Sequence, residues 1–226
     1  MLIETSLSAE IRTAEQGKFI YLHFNGGKAD LGMLSAAKAV FIYRCNACFT
    51  DAVALSSFEK IPDKTVFAIM EKEGNYALLY MLNDGGYSFA LSGNGNKLFV
   101  EANIGQRGDA APEGPLRAAY YISGKDLYAL FSSAAKDLCE VFPRLKTVRQ
   151  KRKPDLIGKL GFCTYNAFYD DVSDQKIYGV LTALKRWDIR CGFLIVDSGW
   201  MREKNGKMRA FAPDENKFRG GFKEFT

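Results

Sequence analysis

The sequence holds a single histidine, His23, and five cysteines in 226 residues. Histidine chemistry has one candidate, set in an apolar stretch with no serine or cysteine placed as a partner. The expectation is a structural histidine. The cysteines (Cys45, Cys48, Cys139, Cys163, Cys191) are odd in number and scattered. That excludes a disulfide framework and fits a reducing, cytoplasmic setting. No apolar run approaches the ~18 residues of a membrane-spanning helix, so no membrane partner is expected. The first residues carry no basic stretch followed by an apolar one, and no secretory leader is expected. Charge of one sign is also missing. Against 31 basic residues stand 26 acidic ones, a formal charge of +5, too balanced for a nucleic-acid footprint. No G-x-x-x-x-G-K-[ST] loop occurs, which excludes that mode of phosphate binding.

What is present is apolar and aromatic. Hydrophobic residues make up 47% of the chain and aromatics 13%, enough to bury one or two cores. The first half reads as strands: Phe19–Phe24, Ala39–Phe49, Thr65–Met70, Tyr76–Leu82, Tyr87–Leu91, Leu98–Ala102 and Arg117–Ile122. Between them, Asn25-Gly26-Gly27, Asn83-Asp84-Gly85-Gly86 and Asn94-Gly95 offer the positive φ of tight hairpins. Short strands joined this way predict an antiparallel β-sandwich.

The pattern changes at Ser123. Ser123 and Asp126 have capping-box spacing. Leu127, Leu130, Phe131, Ala134, Leu138 and Val141 follow a helical period that Pro143 ends. The basic segment Arg144–Lys159 reads as a linker. Beyond it come a short apolar strand (Leu160–Tyr165) and a helix capped by Ser173 with Ile177, Val180, Leu181 and Leu184 on its buried face. A continuous apolar strand follows (Cys191–Val196), and a third helix is expected near Gly220 or Gly221, with Phe222 and Phe225. A strand apolar on both faces predicts burial on both, as in a parallel sheet, with a right-handed crossover. The domains are therefore expected at 1–147, with a linker at 148–159, and at 160–226.

Two motifs have plain structural readings. Cys45-Asn46-Ala47-Cys48 is a C-x-x-C, but zinc wants four ligands and no second pair exists. Inside an expected strand the two thiols would face opposite ways, so buried structural cysteines are expected. The basic run Arg149-Gln150-Lys151-Arg152-Lys153 has no interleaved aromatics and reads as solvated linker. No metal and no cofactor are expected.

The second region carries a resemblance. Gly161-Phe162-Cys163-Thr164-Tyr165-Asn166-Ala167-Phe168-Tyr169 resembles the G-W-C-T-W-D-A-F-Y of the first barrel strand in the raffinose synthase and seed imbibition family, relatives of family 36 α-galactosidases. Phe193 to Trp200 is similar to that family's second strand, which ends in D-D-G-W. Asn216 to Lys223 resembles its K-F-P-x-G-L-K segment. The resemblance implies a multidomain β then α/β fold, the N-terminal antiparallel β-sandwich being followed by the first β-α-β unit of an incomplete (β/α)8 TIM barrel. It implies a retaining enzyme acting on α-galactosyl oligosaccharides such as raffinose or melibiose, by hydrolysis or galactosyl transfer.

In the family the nucleophile and the acid/base are aspartates after later barrel strands, so no catalytic residue is expected before Thr226. A complete barrel takes about 250 residues. The expectation is thus a C-terminally shortened, inactive member that self-associates through its barrel edge. The alternative is a non-catalytic carbohydrate-binding or degenerate fragment. Sugar-binding residues implied by the resemblance are Asp197, Trp200, Tyr165, Phe162 and Ser198. Ser198 stands where the family has a second aspartate, Phe162 and Tyr165 where it has tryptophans, and Asn166 where it has an aspartate.

Overall fold

The computed structural model describes residues 2–5, 9–24, 28–46, 48–104 and 114–223. They divide into two compact units, Met1–Lys151 and Arg152–Thr226. The turn expected at Asn25-Gly26-Gly27 lies outside the described residues.

Among the described residues, twelve strands build the first unit: β1 (Ile3–Thr5), β2 (Glu10–Thr13), β3 (Lys18–Leu22), β4 (Lys28–Leu34), β5 (Lys38–Arg44), β6 (Thr50–Leu55), β7 (Lys60–Lys72), β8 (Asn75–Met81), β9 (Asn83–Asp84), β10 (Tyr87–Asn94), β11 (Lys97–Ile104) and β12 (Leu116–Gly124). Their order is β1-β4-β11-β10-β7-β8-β12-β3-β2, with β5 and β6 branching from β7 and β9 paired to β10. Where a sandwich of separate sheets was expected, hydrogen bonds join these strands into one curled antiparallel sheet. The cause is β7, which at 13 residues has two sets of neighbours. Its first part pairs with β10 through Ile61 and Thr65, and its last part pairs with β5 and β8.

The two-residue period of the strands sorts side chains to two cores. Ala77 and Leu79 of β8 face the inner one, with Ile20, Leu31, Phe41, Leu91 and Val100 from strands along the whole sheet. Leu78 of β8 faces the other side, where it meets Phe19, Tyr120 and Ile122. Helix α1 (Leu127–Val141) covers that outer side with Leu130 and Ala134. Its cap is Asp126, whose carboxylate accepts from the amides of Tyr128 and Ala129 at 2.9 and 3.1 Å. The capping box expected on Ser123 does not form, because Ser123 stays in the sheet opposite Ala77.

One buried carboxylate ties α1 to the sheet. Asp137 is 1% exposed. It accepts from the Tyr120 hydroxyl at 2.7 Å and from the Gly17 amide at 2.8 Å, and the Gln16 amide donates to both its oxygens. Burial, and then this hydrogen bond, push the Tyr120 hydroxyl far above its ordinary pKa.

Further expectations fail in this unit. His23 is exposed just past β3, and Cys45 and Cys48 are exposed in the loop between β5 and β6. The apolar run continues beyond Arg44, but the strand does not, because the chain reverses there. Strands β1, β2, β4 and β6 were not expected: β1, β2 and β6 each pair on one side only, whereas β4 lies between β1 and β11. All four residues of β2 are exposed.

The second unit contains β13 (Gly161–Cys163), α2 (Tyr165–Phe168), α3 (Asp174–Arg186), β14 (Phe193–Ile195) and the hairpin β15 (Met201–Lys204) with β16 (Lys207–Pro213). Strands β13 and β14 pair in parallel, Gly161 opposite Phe193 and Cys163 opposite Ile195. Ser173 caps α3 by accepting from the Lys176 amide at 3.4 Å. Asp174 in its first turn and Lys185 and Arg186 in its last complement the helix dipole. The core is small: Val172, Ile177 and Phe218, flanked by Phe168, Leu181, Leu194, Val196, Trp200 and Phe222.

Burial of β14 on both faces is not observed, for Ile195 is 47% exposed. The helix expected near Gly220 is a series of turns among the described residues, although Phe222 does pack into the core. Phe225 lies outside the described residues. No described helix is long and apolar enough to cross a membrane.

Candidate functional site

The parallel register of β13 and β14 brings the residues that follow each strand to one edge. Thr164 links them. It is fully buried, its amide donates to the Ile195 carbonyl at 3.0 Å, and its hydroxyl accepts from the Asp197 amide at 2.9 Å. Asp197 is thereby held at the C-terminal end of β14 with its carboxylate exposed. One oxygen accepts from the Ser198 amide at 2.7 Å, and the other lies 3.5 Å from the Cys163 sulfur. An anchored backbone with an open carboxylate can accept hydrogen bonds from a polyol, and charge strengthens them.

The turn after Asp197 is fixed by close backbone contact. Gly199 has φ 88°, and a Cβ there would overlap the Asp170 carbonyl. Lys217 donates to that same carbonyl at 2.9 Å and to the Gly199 carbonyl at 2.7 Å, pinning both segments. Close by in sequence, the Lys176 ammonium donates to the Asp171 carbonyl at 2.7 Å. It also sits 2.5 Å from the Asp171 carboxylate and holds it below the usual carboxylate range, first by hydrogen bonding and then by charge.

The aromatic residues take different places. Tyr165 opens α2 and is 41% exposed. Its ring lies edge-on to Tyr169, 64% exposed, at 5.4 Å between centroids. Phe162, in β13, is half-buried and edge-on to Phe168 at 6.3 Å. The Trp200 ring packs on Phe211 and Phe222, each at 5.1 Å. Asp197, Ser198 and Tyr165 thus follow the strand ends, whereas Phe162 and Trp200 have their rings engaged in packing.

Sequence reasoning assigned no role to Thr164, Lys217 or Tyr169. Thr164 was visible within the strand motif as a hydroxyl at a strand end, and Lys217 within the third matched segment. Among the described residues, one trio of carboxylates is close enough to suggest a cation: Glu15, Asp137 and Glu140 in the first unit, within 4.8 Å of one another. The Asp137 oxygens already accept from two amides and a hydroxyl, so this donor set does not fit a metal.

Comparison with known proteins bears on both units. The model of the family described as raffinose synthase or seed imbibition protein Sip1 matches residues 4–220. A galactinol–sucrose galactosyltransferase of Pisum sativum is 25% identical over 195 residues, which cover 82% of this chain and 24% of that protein. A stachyose synthase of Pisum sativum is 28% identical over 82 residues, 36% of this chain and 10% of its own. The chain thus spans about a quarter of the length of the curated galactosyltransferases that it matches. The crystal structure of an alpha-galactosidase from Lactobacillus brevis superposes with a TM-score of 0.53 at 13% identity, over 92% of this chain and 32% of that one. At that identity the likeness is one of fold.

Proposed function

This chain belongs to the raffinose synthase or seed imbibition protein family, and from that premise we propose that its second unit opens a (β/α)8 barrel whose strand ends bind the galactosyl group of an α-galactoside. The observation that carries the reading is Asp197, anchored through Thr164 at the end of a parallel strand with its carboxylate open. Active sites of such barrels lie at that end of the strands. Asp197 accepts hydrogen bonds from galactosyl hydroxyls. Ser198, where the family has a second acid, supplies a neutral hydroxyl, so binding is weaker than a pair of carboxylates would give. Tyr165 and Tyr169 offer exposed ring faces for the apolar side of a sugar.

The reaction class is retaining α-galactoside hydrolysis or galactosyl transfer, in which two carboxyl groups about 5–5.5 Å apart share the work. Neither is assigned to a residue of this chain, so the 226-residue protein binds without turnover. Exposed apolar residues at the strand pair, such as Leu160 and Ile195, support a barrel reading, since further strands would cover them. The cysteines are free, which supports a cytoplasmic location.

Calorimetric titration with galactose, melibiose and raffinose tests the proposal. Millimolar binding is expected for the parent chain, about tenfold weaker binding for Thr164→Val, and none for Asp197→Ala. Silence at millimolar sugar, or unchanged binding by Asp197→Ala, counts against the site. Release of nitrophenol from a nitrophenyl α-galactoside by the pure chain would overturn the claim that it lacks turnover.

A further inference from the structure

The C-x-x-C pair lies in the open. Cys45 and Cys48 are both exposed, in the loop that joins β5 to β6. The chain reverses tightly there. Arg44 pairs with Thr50, and the Cys45 amide donates across the mouth of the loop to the Phe49 carbonyl at 3.2 Å. The Cys45 sulfur points the same way, 3.2 Å from that oxygen. Cys48 adjoins Phe49 and is held by Asn46, whose side-chain oxygen accepts from the Cys48 amide at 2.8 Å and the Phe49 amide at 2.9 Å. Local hydrogen bonds thus fix the backbone of both cysteines beside one short reversal, and both residues are exposed.

We propose that Cys45 and Cys48 form a reversible thiol–disulfide site that exchanges with small-molecule disulfides of the glutathione class. A bridge needs Cα atoms about 4.4–6.8 Å apart, and the proposed bridge puts Cys48 within that reach because its neighbour Phe49 lies against Cys45 across the mouth of the loop. Closing so short a loop removes little entropy from the unfolded chain, so the bridge adds little stability. A short, solvent-exposed bridge is also readily reduced. Both points make the pair a labile site and not a structural staple.

The exchange takes two steps. The thiolate of one cysteine attacks a sulfur of the small disulfide, a protein–S–S–R bond forms, the reagent's S–S bond breaks, and RS⁻ leaves. The second cysteine then attacks the protein-side sulfur and expels the second RS⁻. The cysteines lose two electrons, the reagent gains them, and the two released thiols take up the two cysteine protons. Cys139, Cys163 and Cys191 are half-buried and serve as internal references.

The test equilibrates the full chain in glutathione buffers of graded oxidation, quenches with acid, alkylates free thiols and maps the peptides by mass. Cys45 and Cys48 are expected to lose alkylation together, their shared peptide lighter by two hydrogens, and to recover it on reduction. Cys45→Ser and Cys48→Ser are each expected to stop at a glutathione adduct on the remaining cysteine, about tenfold more abundant than in the parent. Both substitutions fall in an exposed loop, and far-UV circular dichroism checks that the sheet is retained. The proposal is overturned if the parent accumulates the adduct as fully as the single variants do. It is equally overturned if the bridge joins another cysteine, or if both thiols stay alkylatable in the most oxidising buffer.

Discussion

The two units bury their apolar residues to different depths. In Met1–Lys151 the sheet curls around one core and a helix covers a second, so both faces of β8 and β12 are packed. Among the described residues of Arg152–Thr226, only Val172, Ile177 and Phe218 are buried hydrophobics. Trp187 there is 75% exposed and Leu160 61%. The difference lies in strand length and partnering. The 13 residues of β7 reach three neighbours, whereas β13 and β14, three residues each, have only one another. Two paired strands are marginal by themselves. The first unit should therefore persist in urea after the second has unfolded. The molecule carries its own probe of this, since both tryptophans, Trp187 and Trp200, belong to the second unit. Tryptophan emission follows that unit, while far-UV circular dichroism is dominated by the strands of the first.

The sharpest way to reverse the order is Asp137→Ala. It strips partners from the Tyr120 hydroxyl and from the Gln16 and Gly17 amides. Buried donors left unpaired cost about 1–3 kcal/mol each, and partial relaxation brings the total to about 4 kcal/mol. The circular dichroism midpoint in urea should fall while the tryptophan midpoint stays. A common shift of both midpoints would break the comparison, because the units would then unfold as one.

The converse variant is Gly199→Ala. The backbone there is left-handed, and a Cβ meets the Asp170 carbonyl. Strain and overlap together cost about 3 kcal/mol. Here the tryptophan midpoint should move and the dichroism midpoint should not. If Gly199→Ala leaves the tryptophan transition in place, the Asp170–Gly199–Lys217 contact is not what holds the second unit.

The same contrast explains what the sequence made legible. Periodicity reports which faces are buried, so strands with long apolar runs were readable: the expected Tyr76–Leu82 and Arg117–Ile122 became β8 and β12. Strand β4 puts Ala29, Leu31 and Leu34 into the inner core but was not expected, because Lys28, Asp30 and Gly32 break its apolar run. The edge strand β2 is fully exposed and has no apolar alternation to read. The hairpin of β15 and β16 turns at Asn205-Gly206, both at positive φ, which is a turn signal. Its flanking residues are mostly charged and exposed, so no strand pattern accompanied it. Asp197 was legible only through a family motif, since one aspartate after an apolar run has many ordinary uses. The role of Thr164 depends on the register of two strands about 30 residues apart, which no local pattern encodes. The C-x-x-C misled for a related reason: an apolar run does not show where a strand stops and its chain reverses.

Alkali gives the mildest test of the difference between the units. Burial pushes the Tyr80 hydroxyl up to about 12, from an ordinary value near 10. The folded chain then keeps a proton that the unfolded chain has lost. Stability from this residue is complete below pH of about 10 and is lost as pH rises from there through the folded value. Two pH units correspond to about 3 kcal/mol, which the partial exposure of Tyr80 reduces to about 1 kcal/mol. Tyr80→Phe keeps the ring, packed 4.3 Å from Phe67, and removes the titrating group. Urea midpoints followed by circular dichroism between pH 9 and about 12 should fall less steeply for the variant than for the parent. Tyr80 belongs to the first unit, so the tryptophan-detected midpoint of the second should follow one pH course in both proteins. Equal slopes in circular dichroism would remove Tyr80 from the account and leave Tyr120, whose hydroxyl is bound to Asp137, as the alkaline weak point of the first unit.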